Sequence, residues 1–119
     1  MDKEQFQART KGLALRLIKL VGALPQNPTG WVIGRQILRS GTSVGANYRA
    51  ACRARSTADM IAKLKIVEEE ADETLYWLEL LIEAQIMPEE RLKPLMAETD
   101  EILAMTVASI KTLRRRSGS

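Results

Sequence analysis

At 119 residues, 45% hydrophobic and 28% charged, the chain is sized for one domain with a real core and leaves no room for a second. No apolar run approaches the ~20 residues of a membrane span; a single cysteine excludes an intrachain disulfide, and the lack of histidine removes the commonest zinc ligand and general base. The net charge of +3 conceals three blocks: residues 1–56 carry ten Lys/Arg against two Asp/Glu, residues 57–90 two against ten, and residues 91–119 six against three.

Phe6, Thr10, Leu13, Leu17, Leu20 and Leu24 recur at alternating three- and four-residue steps, which predicts a first amphipathic helix with one buried stripe. The run "PQNPTG", Pro25 to Gly30, ends it. A second helix is expected from Gly30 or Trp31 to Ala54, with Gly34, Ile37, Gly41, Val44, Tyr48 and Cys52 on its stripe. Gly34, Gly41 and Gly45 each cost about 0.5–1 kcal/mol of helix propensity against alanine, so a close approach of the neighbouring helix must offset them. Ser56, with Asp59 three residues later, resembles a capping box and starts a third helix. That helix runs through Ile61, Leu64, Ala71, Leu75, Leu78 and Ile82 to about Gln85. After Met87-Pro88 comes a last stripe of Leu92, Leu95, Thr99, Ile102 or Leu103, Thr106, Ile110 and Leu113. Pro94 implies either a helix starting near Leu92 or a separate turn before it. "RRRSGS" is expected to fray, with residues 117–119 a disordered tail. Long helices on short connections favour antiparallel neighbours, so the expected fold is all-α: an up-down-up-down four-helix bundle over residues 1–116 as a single domain.

Two helices carry a second apolar face. Leu15 and Ile18 on the first and Ile66, Trp77 and Leu80 on the third lie away from the core stripes. Scattered surface apolars are ordinary, but repetition in register points to an interface, and these five are the candidates for a homo-oligomer contact.

The charges also fall in stripes. Arg35, Arg39, Arg49 and Arg53 share one side of the second helix, and Glu68, Asp72, Glu79 and Glu83 one side of the third. The stripes either meet across an antiparallel pair or leave arginines for phosphates. Glu68 falls within its helix's apolar stripe, where a carboxylate needs a partner. The candidates for nucleic-acid contacts are Arg9, Arg16, Lys19, Arg35, Arg39, Arg114, Arg115 and Arg116. Di-iron bundles use Glu-x-x-His pairs, and there is no histidine to supply them. Cys52 lies on a core stripe with no base to activate it. No catalytic residue, metal site, cofactor, membrane segment or small-molecule substrate is therefore expected, and the chain is not expected to be an enzyme.

The segment "SVGANYRAACRARS", followed by "KLKIV" and "EADETLYWLELL", is similar to the signature of bacterial four-helix bundle proteins encoded within intervening sequences of 23S ribosomal RNA genes. The match spans Gln36 to Ala84; the flanking helices agree only in length and amphipathicity. The resemblance implies a small cytoplasmic protein and a ring-like homo-oligomer, commonly a pentamer. It also relates the fold to basic accessory proteins of diversity-generating retroelements, which associate with nucleic acid and a reverse transcriptase. The family offers no established catalytic residues to carry over. The function it favours is a non-enzymatic adaptor with RNA or DNA as partner; the alternative is a purely protein-binding assembly module with internally neutralised charges.

Overall fold

The computed structural model describes residues 2–118 and places four helices in that span: α1 (Lys3–Gly22), α2 (Pro28–Cys52), α3 (Thr57–Glu83) and α4 (Glu89–Arg116). Three of them begin on a side chain that satisfies first-turn amides. Asp2 accepts from the Gln5 amide at 2.8 Å while the Gln5 side chain accepts from the Asp2 amide at 3.1 Å, a full capping box. Asn27 accepts from the Gly30 amide at 2.9 Å ahead of Pro28, whose fixed φ suits a first helical position. Ser56 accepts from the Asp59 amide at 3.0 Å, as its spacing predicts. The reciprocal half is missing: Asp59, one methylene shorter than Glu, lies 3.4 Å from Lys63 instead.

The fourth helix departs from expectation. It starts at Glu89, three residues before Leu92, and carries Pro94 inside its second turn. The missing Pro94 amide deprives only the Glu90 carbonyl, and Glu90 is exposed, so water can serve it. At the other end, Arg114, Arg115 and Arg116 are helical rather than frayed. Ser117 and Gly118 still donate backbone hydrogen bonds to Leu113 and Arg115, and Ser119 lies outside the described residues.

Contacts between helices fix their directions. A side chain at Gly34 would meet Val21 and Leu24, one at Gly41 would meet Leu17, and one at Gly45 would meet Thr10, so α1 descends as α2 ascends. Ser40 bonds Thr74 while Ala51 clusters with Leu64, so α2 and α3 are also antiparallel. Each helix packs against its chain neighbours, α4 closes against α1, and the backbones of the diagonal pairs stay apart. The resulting rod measures 49 × 22 × 21 Å, its long axis set by α3 and α4 at about 1.5 Å per residue.

The predicted core stripe of α1 is buried, and so is that of α4 with Ile102 rather than Leu103 in it and Leu113 only half-buried; Thr10, Thr99 and Thr106 donate their hydroxyls to carbonyls of their own helices. In α3 the buried stripe is Leu64, Val67, Ala71, Thr74, Leu78 and Leu81. Ile61, Leu75 and Ile82 are only half-buried. The helix is turned relative to the sequence expectation because it packs against both α2 and α4 and covers a wide arc. Tyr48 and Cys52 are likewise half-buried rather than central; Tyr48 meets Phe6 with the rings tilted by 47° and their centroids 4.4 Å apart, and burial pushes its phenol pKa up.

Candidate nucleic-acid interface

Two of the candidate arginines are committed to acids of neighbouring helices. On α2, Arg39 reaches α3 and pairs with Glu70 at 3.1 Å and with Glu73, which also accepts from Trp77 Nε1 at 3.0 Å. The acids expected opposite this stripe were Glu68, Asp72, Glu79 and Glu83. Among the described residues none of these four makes an ion pair. The turn of α3 described above is the reason: it brings Glu70, Glu73 and Trp77 to the edge beside α2, leaves Asp72, Glu79 and Glu83 exposed, and leaves Glu68 half-exposed rather than buried.

On α1, Arg9 turns toward α4. Its Nε donates to Glu98 Oε2 at 2.9 Å, its Nη2 reaches both Glu98 and Glu101, and its Nη1 lies 3.5 Å from Met105 Sδ. The side chains of Arg9 and Glu98 are 25% and 20% exposed, so the bidentate bond is partly sheltered from water. Hydrogen bonding from Arg9 outweighs desolvation and, helped by the charges of Arg9 and Arg16, holds the Glu98 carboxyl below the usual range.

The remaining candidates are dispersed by topology. Arg16 and Lys19 are exposed on α1, and Arg35 is exposed on α2 beside a hollow at the α1–α2 turn lined by Val21, Leu24, Trp31 and Leu38. Arg114, Arg115 and Arg116 are exposed in the last turn of α4, where cations complement the helix dipole. The antiparallel order puts this cluster at the opposite end of the rod from Lys19 and Arg35, and at the same end as Arg53 and Arg55.

One basic concavity was not among the candidates. Between α1 and α2 lies a groove of about 420 Å³ lined by Lys11, Arg49 and Arg53, with Thr10, Thr42 and Gly45 among its other walls. The three cations are exposed, and among the described residues no carboxylate lines the groove and none of the three is ion-paired. Arg49 and Arg53 sit in the expected stripe, one turn apart. Lys11 has no partner in sequence spacing that would mark it, since its relation to α2 exists only once the helices pack.

The oligomer candidates divide in a similar way. Leu15, Ile18 and Ile66 are 61%, 49% and 38% exposed. Trp77 and Leu80 are half-buried, and Trp77 packs against the core. Trp31, Val32 and Tyr76 are exposed apolar residues that the periodicity did not single out. Among the described residues no three His, Cys, Asp or Glu side chains are grouped to hold a metal, and no helix is long and apolar enough to cross a membrane.

Comparison with known proteins bears on this arrangement. The profile of the 23S rRNA-intervening sequence protein family matches residues 3–108, through all of α1, α2 and α3 and most of α4. The chain belongs to that family. A crystal structure of a protein of unknown function from the S23 ribosomal protein family of Bacteroides thetaiotaomicron superposes on this family member with a TM-score of 0.87. The two are 39% identical over 93% of this chain and 99% of that one. No curated protein sequence matches the chain. The family assignment covers the flanking helices as well as the central signature, whose motif residues alone carried the sequence resemblance.

Proposed function

We propose that this protein is a non-enzymatic, cytoplasmic, homo-oligomeric bundle that associates with RNA or DNA as an adaptor. The observation that carries the reading is the fate of the α2 arginines. Arg39 alone of the four is neutralised by α3, while Arg35, Arg49 and Arg53 stay exposed without acidic partners among the described residues. Unpaired cations on a common side suit phosphates, which bind through charge and counterion release rather than base edges.

The apolar surface supports assembly. Leu15 and Ile18 lie on α1 and Ile66 on α3, helices at diagonal corners of the bundle. Two distinct patches on opposite sides favour a head-to-tail contact, which closes into a ring when the rotation permits. A ring, pentameric as the family resemblance implies, would repeat each weak phosphate site and raise its avidity.

The second reading, an assembly module whose charges are internal, draws on Arg9 and Arg39, both held by acids. Electrophoretic titration with single-stranded and structured RNA and with DNA separates the two. Binding at about 50 mM salt that falls steeply by about 200 mM, with little sequence preference, is the expected result. No binding of any polymer at the lower salt leaves the assembly module standing.

A further inference from the structure

Resting on the nucleic-acid reading above, we infer that the α1–α2 groove is the phosphate-binding site, taking the sugar-phosphate backbone of a nucleic acid on Lys11, Arg49 and Arg53.

The groove exists because small residues line it. Ala14 on α1 and Gly45 and Ala46 on α2 keep the space between the helices open, and a side chain at Gly45 would already come within 3.3 Å of Thr10. Its size, about 420 Å³, falls within the ~300–1,000 Å³ of pockets that hold small ligands. Arg49 and Arg53 are separated by one helical turn, about 6 Å along α2. That offset lets two guanidinium groups meet successive phosphates of one strand, with Lys11 facing them from α1. The walls add the amide of Gln7, which can donate to phosphate oxygens, and the Thr42 oxygen, whose proton goes to the Leu38 carbonyl and which can accept from a sugar hydroxyl.

An acidic protein segment would meet the same charge, but the groove lacks what a protein contact needs at its centre. Its apolar lining is alanine and glycine only, with no large anchor. Aromatic rings are absent from the lining too, so bases have nothing to stack on and the bound strand is held by its backbone. The site is accordingly indifferent to sequence.

The test compares the parent with a Lys11→Gln, Arg49→Gln, Arg53→Gln variant and with a control carrying Lys65→Gln, Arg91→Gln and Lys111→Gln, exposed cations elsewhere on the rod. A fluorescein-labelled single-stranded oligonucleotide of mixed sequence is titrated with each by anisotropy at several salt concentrations. The groove variant should bind about ten- to hundredfold more weakly, with a salt dependence reduced by about 0.7 per lost contact. The control should stay within about threefold of the parent. A second variant, Ala46→Glu, places a carboxylate among the cations and should weaken binding while every native cation remains. Equal losses in groove variant and control, or unchanged binding by the groove variant, overturn the site while the broader reading stands. A groove variant that keeps RNA affinity but loses self-association or binding to poly-glutamate assigns the groove to protein carboxylates and also overturns it. A parent that binds no oligonucleotide removes both readings at once. Circular dichroism of the variants excludes unfolding as the cause.

Discussion

At the scale of single residues, the glycines of α2 show how backbone proximity is encoded. Gly41 is buried, and a Cβ there would overlap Leu17 Cδ1; Leu17 is itself fully buried, so it has little freedom to retreat. Gly30 is tighter still, because a Cβ would collide with the backbone carbonyl of Pro25, which no rotamer change can relieve. Replacing Gly41 with Leu should destabilise the fold by about 1–3 kcal/mol or more, since overpacking exceeds the gain in helix propensity. Thermal melting of Gly41→Leu beside the parent is the measurement, and a raised midpoint would mean that α1 and α2 stand further apart than described.

Among the elements, the α1–α4 seam stands out as the least extensive helix contact, and much of its polar bonding runs through Arg9. Because Arg9 holds Glu98 below its ordinary range, the folded protein takes up that proton less readily than the unfolded chain. Stability from the pair is thus complete above the unfolded carboxylate value of about 4.3 and drains away as pH falls through the lower folded value. Glu98→Gln should lower the melting temperature at pH 6, and the gap from the parent should narrow toward pH 3. A gap of the same size at both pH values would show that the carboxylate's charge contributes nothing to the seam. The α2–α3 seam is built differently: it combines a buried bond between Ser40 and Thr74 at 2.9 Å with the more exposed Arg39 pairs, whose salt-screened contribution is small.

For the molecule as a whole, the question is what covers Leu15, Ile18 and Ile66. A narrow rod of 49 × 22 × 21 Å has much surface for its volume, and large apolar side chains on two of its sides are available to a second copy. Light scattering should give a mass several times the 13.3 kDa of one chain. Changing Leu15 and Ile18 to Asp should return the protein to monomers without unfolding it, since neither side chain belongs to the core. A parent that is monomeric at tens of micromolar, or a double variant that assembles normally, would refute the head-to-tail contact. Trp77→Asp is a poorer probe, because Trp77 packs on the core and bonds Glu73, so its loss would disturb the fold itself.

Periodicity was enough to determine the number of helices, their order and the buried stripe of α1, because a side chain's position on its own helix depends only on the 3.6-residue repeat. The Ser56 cap and the close-packed Gly41 were legible for the same reason: each is a local backbone requirement written in one or two residues. The charges were not, since ion pairing depends on the rotation of one helix against another. Turning α3 relative to its expected stripe put Glu70 and Glu73, rather than Glu68, Asp72, Glu79 and Glu83, opposite the arginine side of α2, and drew Trp77 inward from the surface. Arg9 belongs to the first residues of the chain and Glu98 to the last quarter, and Lys11 lies far from Arg49 and Arg53 in sequence. Which cations are neutralised and which share a groove was decided only by tertiary packing, because electrostatic interaction follows distance in space and the sequence carries distance along the chain.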